Sequence, residues 1–245
     1  MVEQADTLAR NLNLPRAEAP EDSRFEMVLV PTPHRLELRV IGGDSSLRGG
    51  RPILVDLSRI DTRTPAGRRL KQPIAKAVGM HLYKETPPIV LEATAGFGHD
   101  TWLLASLGCK VVAVERSGLV AALLADGLDR AEPRQVTQRI SLIVGESAAV
   151  MKDPPRPEVI WIDPMYPASR KAAQRKSMRV LRRLVGEDKD AADLLRQALL
   201  TAKRRVVVKR PLRAAPLGNR TPEASHKGQA VRYDVYPTLP SSGDQ

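Results

Sequence analysis

The chain is short of cysteine, of aromatics and of long apolar runs, and each shortage closes off a class of explanation. One residue in 245, Cys109, is a cysteine, so neither an internal disulfide nor a cysteine-built zinc site can form. Cys109 stands at the start of an apolar strand and reads as a small buried hydrophobe. The four histidines, His34, His81, His99 and His226, are scattered without metal-ligand spacing, and no metal is expected. No apolar run approaches the length that crosses a bilayer. The mixed, acidic start Met1-Val-Glu-Gln-Ala-Asp6 lacks the apolar core of a signal peptide, so a soluble cytoplasmic protein is expected. Aromatics make up 3% of the chain, which argues against recognition through many stacked bases. Acidic residues are also scarce relative to basic ones: 28 Asp and Glu face 39 Lys and Arg, a net charge of +11 and a pI near 10.1. Small metabolites need no such excess, whereas a phosphate backbone would exploit it through counterion release.

Patterning divides the chain into an N-terminal part, residues 1–65, and a Rossmann-like domain, 66–245. Residues 1 to about 24 are polar, carry two prolines and read as a partly disordered extension. Met27-Val-Leu-Val30 and Leu36-Glu-Leu-Arg-Val40 flank a Pro-Thr-Pro turn as two strands, and Pro52-Ile-Leu-Val-Asp-Leu57 reads as a third, giving a small β-rich subdomain. A helix ends at Gly79, with Pro73 restricting where it can begin. From Ile89, strands at 89–93, 110–115, 139–144, 158–163 and 205–209 alternate with helices near 98–107, 117–130, 169–185 and 188–202. The alternating tail 229–236 reads as a last, antiparallel strand. Continuous apolar strands interleaved with helices specify a doubly wound α/β sheet.

In such a sheet ligands bind beyond the carboxyl ends of the strands. There lies Ile89-Val-Leu-Glu-Ala-Thr-Ala-Gly-Phe-Gly-His-Asp100, an apolar strand ending in Glu92 and opening a glycine turn at Gly96 and Gly98. The turn lets a nucleoside-bearing cofactor approach the backbone closely. Glu115 closes the second strand, 17 residues after Gly98, and is placed to accept both hydroxyls of a ribose. That spacing also suits NAD, but the loop lacks the third glycine of a pyrophosphate site. Glu92 would repel pyrophosphate and favour a cationic cofactor such as S-adenosylmethionine. Gly145-Glu-Ser147, after the third strand, can meet the adenine.

The second chemical signature is Val159-Ile-Trp-Ile-Asp-Pro-Met-Tyr-Pro167. An exocyclic base amine is a poor nucleophile because its lone pair is delocalised. The Asp163 carboxylate and the Pro164 carbonyl can accept its hydrogen bonds, and Tyr166 can stack on the base. Asp163 can also take the proton late in the transfer. Beyond this loop Lys171, Arg175, Arg179, Arg182 and Arg183 recur every three to four residues on one helical face, a candidate grip on RNA phosphates. Arg63, Arg68, Arg69, Lys71, Lys209 and Arg210 would extend the track.

With these residues in place the chain resembles the RsmJ-type bacterial methyltransferases, which modify the N2 amine of a guanine in small-subunit ribosomal RNA. The resemblance spans roughly residues 26 to 237. It rests on Glu92-Ala-Thr-Ala-Gly-Phe-Gly-His-Asp100, Val114-Glu-Arg-Ser117, Asp163-Pro-Met-Tyr-Pro167 and Arg205-Val-Val-Val-Lys-Arg-Pro211. Ile74-Ala-Lys-Ala-Val-Gly79, His226-Lys-Gly228 and Arg232-Tyr-Asp-Val-Tyr236 also fit. It implies a seven-stranded class I methyltransferase sheet, S-adenosylmethionine as cofactor and 16S RNA or the 30S subunit as partner. Donor contacts are implied at His99-Asp100, Glu115-Arg116, Glu146-Ser147 and Asp163. Glu92 stands where the family has Asp, and His99 where it has Arg. The first twenty or so residues match no part of the family pattern. The alternatives are an amino-methyltransferase for another RNA or for DNA, and a non-catalytic RNA-binding assembly factor.

Overall fold

The computed structural model describes residues 2–153, 155–166 and 176–238. Its N-terminal part holds helix α1 (Val2–Leu12), strands β1 (Met27–Pro31) and β2 (Leu36–Val40), and helix α2 (Pro65–Val78). There follow β3 (Ile89–Glu92), α3 (His99–Ser106), β4 (Lys110–Glu115), α4 (Gly118–Arg130), α5 (Arg134–Thr137), β5 (Ile140–Val144), α6 (Ser147–Val150) and β6 (Val159–Ile162). The last elements are α7 (Lys176–Val185), α8 (Ala191–Thr201), β7 (Arg205–Pro211), β8 (Ala224–Lys227) and β9 (Val231–Pro237).

The main sheet has seven strands in the order β5-β4-β3-β6-β7-β9-β8. The first five are parallel, and β9 inserts antiparallel between β7 and the edge strand β8. All four residues of β6 are buried, as a strand covered on both faces requires. Chain order reverses between β3 and β6, so the loops after β3, β4 and β6 open onto one crevice, the switch point of a doubly wound sheet.

Apolar side chains gather into two clusters. One, with Leu91, Ile160, Val206 and Leu199, lies under α8. The larger one joins Val90, Trp102, Leu124 and Trp161 to Leu38, Val55 and Leu57, so the β1–β2 hairpin and residues 53–57 share a core with the main sheet. Cys109 is fully buried in that cluster, where loss of hydration pushes its thiol up to about 12.

Local chemistry revises four expectations. Residues 2–12 form a helix rather than a disordered arm; Leu8 packs against the core, and Arg16 pairs with Asp6 at 2.7 Å. Residues 52–57 meet β2 only through the bridge Leu38–Ile53 and form no third strand. Helix α2 starts at Pro65, capped by the Thr64 hydroxyl accepting from the Gly67 N–H, and runs through Pro73 to Gly79 in the left-handed conformation. Pro73 thus limits neither end; it removes one donor, leaving the Arg69 carbonyl without its intrahelical partner. Strand β8 was not expected, and it, not the tail, forms the sheet edge.

Candidate active site

The turn after β3 is fixed by backbone donors. The Ala95 N–H bonds to Val114 O at 3.0 Å. The Gly96 N–H bonds to Glu115 Oε2 at 2.8 Å, while Glu115 Oε1 accepts from the Ser117 N–H at 2.8 Å. Both Glu115 oxygens are therefore aimed, and each keeps a lone pair for a further donor. Gly98 has φ of 74°, and a Cβ there would lie 2.3 Å from Leu124 Cδ1. Gly98→Ala combines left-handed strain with overpacking and is expected to destabilise the protein by about 1–3 kcal/mol. Thermal unfolding checks this; an unchanged Tm would contradict it.

Gly96, Glu115, Arg116, Glu146, Ser147 and Asp163 line one small cavity of about 70 Å³. Ser147 is buried and donates to Ala93 O at 2.5 Å, joining the start of α6 to the end of β3. Glu146 is exposed at the rim. Arg116 forms ion pairs with Asp188 and, at 3.3 Å, with Asp190 across this cavity. Asp188 also accepts from the Met165 N–H at 2.6 Å.

Beside it lies a charge cluster that sequence reasoning missed. Lys209, at the carboxyl end of β7, places Nζ 2.9 Å from Asp100 Oδ2 and 2.8 Å from Asp163 Oδ2. Asp100 is buried at 4% exposure and also accepts from Trp161 Nε1 at 3.0 Å. Burial works against its charge, but Lys209 and His99 outweigh burial and hold its carboxyl below the usual carboxylate range. Asp163 goes the other way. Burial raises it and repulsion from Asp100 adds to that, with Lys209 opposing. Lys209 is itself buried, yet the two carboxylates hold its ammonium well above the usual lysine range. Asp163 is also tied through its N–H to Thr94 Oγ1 at 2.7 Å, which links the β3 and β6 loops directly.

Glu92, expected to repel pyrophosphate and favour a cationic cofactor, ends β3. It is buried, accepts from the Thr101 hydroxyl, and is pushed well above the usual range by burial and then by Asp100. His99 is exposed, with Nδ1 3.5 Å from Asp100 Oδ1.

Pro164 is buried between Asp163 and Met165. Tyr166 donates its hydroxyl to Lys209 O at 2.6 Å, and the Arg210 guanidinium stands 4.1 Å from its ring centroid. One face of that ring is therefore already occupied. Phe97 and Tyr233 both line the neighbouring large cleft; Tyr233 is buried against Trp161 with ring centroids 5.2 Å apart, Phe97 is half-buried, and Tyr166 lines neither cavity.

The α7 arginines expected to grip RNA make contacts within the protein. Arg179 donates to Ser46 O and Oγ at 2.9 and 3.0 Å, Arg182 donates to Tyr166 O, and Arg183 pairs with Glu26 at 3.1 Å. These arginines share a face, but it ties the N-terminal part to the Asp163 loop. Lys171 and Arg175 lie outside the described residues. Lys209 and Arg210 are enclosed rather than on a surface track, and Lys71 reaches Ser106 O at 3.5 Å.

A family model of SAM-dependent methyltransferases, SAM_MT, matches residues 8–238. The match begins inside α1, so the N-terminal segment does belong to the pattern. The chain is 43% identical to ribosomal RNA small subunit methyltransferase J of Thioalkalivibrio sulfidiphilus, covering 96% of this chain and 93% of the relative. It is 39% identical to the protein of the same name from Coxiella burnetii, over 98% of this chain and 94% of that one. The crystal structure of the SAM-dependent methyltransferase NGO1261 from Neisseria gonorrhoeae superposes with a TM-score of 0.70 at 33% identity, covering 99% of this chain and 94% of that one.

Proposed function

Because the chain belongs to the ribosomal RNA small subunit methyltransferase J family of S-adenosylmethionine-dependent enzymes, we propose that it methylates the exocyclic N2 amine of a guanosine in 16S ribosomal RNA. The observation that carries this reading is the Asp163–Lys209–Asp100 cluster opening beside the turn held by Glu115. Asp163 is the one of its two carboxylates whose affinity for a proton is raised.

The residues present suit the cofactor. Gly96 and Gly98 add no side chain to the turn, and Glu115 offers two aimed lone pairs to the ribose hydroxyls. Glu146 and Ser147 border the adenine side, with His99, Asp100 and Asp163 toward the methionine end. The cavity of about 70 Å³ is narrow beside the ~300–1,000 Å³ of typical ligand sites. When bound, S-adenosylmethionine supplies an electrophilic methyl group on a sulfonium. Glu115→Gln removes the charge from the ribose contact and is expected to weaken cofactor binding about 10- to 100-fold, as for a lost charged hydrogen bond. Titration calorimetry with S-adenosylmethionine measures this, and unchanged affinity would remove Glu115 from the site.

The protein's part in the transfer is to hold and deprotonate the amine. Asp163 accepts a hydrogen bond from it, and the Pro164 carbonyl takes the other hydrogen. As nitrogen takes the methyl group, the methyl–sulfur bond would break with its electron pair returning to sulfur; the nitrogen becomes positive, and Asp163 receives the proton it releases. Lys209 keeps that carboxylate oriented, and the Thr94–Asp163 hydrogen bond keeps the loop registered against the cofactor turn.

Transfer of a tritiated methyl group to 30S subunits and to protein-free 16S RNA lacking the modification, with DNA alongside, tests the substrate class. Label is expected in the RNA. Label confined to DNA, or none with cofactor binding intact, would refute the reading.

A further inference from the structure

An open cleft of about 2030 Å³ reaches the charge cluster, with Asp100, Asp163 and Lys209 lining its floor and Phe97 also among its lining. Its walls come from residues 51–61, from α2 and from the β8–β9 hairpin. That is about twice the upper range for small-molecule sites. Above the floor the walls carry seven cationic side chains against two acids, Asp56 and Asp61. Asp56 is already paired with Arg59 at 2.6 Å.

Arg51, Arg69, Lys76 and Lys227 are exposed there, and none makes a side-chain hydrogen bond or ion pair among the described residues. The contrast with Arg179, Arg182 and Arg183, all engaged within the protein, is direct. His226, in the same wall, is held below the usual histidine range by burial and by the positive charge of Lys76 and Arg205. Four cations without partners among the described residues, drawn from three separate elements and lining one cleft, form a surface suited to a phosphate backbone.

We propose that single-stranded RNA reaches Asp163 through this cleft, its phosphates held by Arg51, Arg69, Lys76 and Lys227 and its target base beside Phe97. The inference rests on the RNA methyltransferase reading above. A guanine N2 amine lies on the pairing edge, so the base must be unpaired before it can meet a carboxylate at the bottom of a cleft. Of the two aromatic rings lining the cleft, Tyr233 is buried against Trp161 and Phe97 is half-buried, so Phe97 offers the stacking surface of the kind single-strand binders use, while Tyr166 has one face covered.

The test is charge reversal. Arg69→Glu, Lys76→Glu and Lys227→Glu are compared with Lys110→Glu and Arg196→Glu, which lie outside the cleft. Binding to protein-free 16S RNA and methyl transfer to 30S subunits are measured across a salt series, with S-adenosylmethionine affinity as the check on folding. Each cleft reversal is expected to weaken RNA binding or raise KM about 10-fold, and to reduce the salt slope by about one. Cofactor affinity should hold, and the outside reversals should stay within twofold. The alanine variants at the same three positions should show the same loss at smaller size. RNA binding unchanged in the cleft variants, or equal losses in both sets, would overturn the assignment while leaving the methyltransferase reading standing. Wild-type protein that neither binds nor methylates RNA would overturn both.

Discussion

Asp163→Asn is expected to lower kcat by about 10²–10⁴-fold, the range for loss of a positioned proton acceptor. The amide keeps the size of the side chain and can still meet Lys209 through its oxygen, so the fold and the Thr94 contact to the Asp163 backbone should survive. What it cannot do is take a proton from the methylated amine. Affinity for S-adenosylmethionine should change by less than about tenfold, which separates the proton-accepting role from the cofactor contact. Wild-type activity should also show an acidic limb. Transfer needs Asp163 ionised, and burial raises its proton affinity, so activity should be lost on acidification at a pH above that of an ordinary aspartate. A kcat within threefold of wild type in Asp163→Asn would end this mechanism.

Lys209→Met should have the second large effect, and on two observables. The first is stability: Asp100, at 4% exposure, would keep its Trp161 hydrogen bond but lose its cation. Breaking a buried ion pair from one side costs about 3–5 kcal/mol. The second is pH dependence. Lys209 lowers the proton affinity of Asp163, so its removal should move the acidic limb of activity to higher pH. A merely structural lysine would lower stability without moving that limb. Lys209→Arg, which retains the cation, should restore the position of the limb. Thermal unfolding and kcat against pH read the two effects separately.

Much of this architecture is legible in the chain. Uninterrupted apolar strands alternating with helices specify the doubly wound sheet, and acids at the strand ends mark the crevice. Glu92, Glu115 and Asp163 do converge there, because a parallel sheet puts every strand's carboxyl end on one side. What stayed hidden depends on packing. Lys209 reads as one more surface cation after three valines. Only the pairing of β7 between β6 and β9 encloses it. A lysine directly after three consecutive valines in a central strand was the available signal. The spacing of Arg179, Arg182 and Arg183 correctly gives a shared face, but helical periodicity does not say whether solvent or another part of the protein meets it. Glu92 reads as a charged acid from its residue type, whereas the burial that raises its proton affinity is a product of packing. Residues 2–12 carry an amphipathic helix that prolines at 15 and 20 obscured.

The decisive measurement is the identity of the labelled nucleoside after the wild-type enzyme has transferred a tritiated methyl group to 30S subunits or 16S RNA and the RNA has been digested. The account predicts N2-methylguanosine as the labelled product, absent with Asp163→Asn. Label on a ribose, on a ring carbon or on another base would contradict it, because the Asp163 carboxylate and Pro164 carbonyl are assigned here to the two hydrogens of a guanine amine.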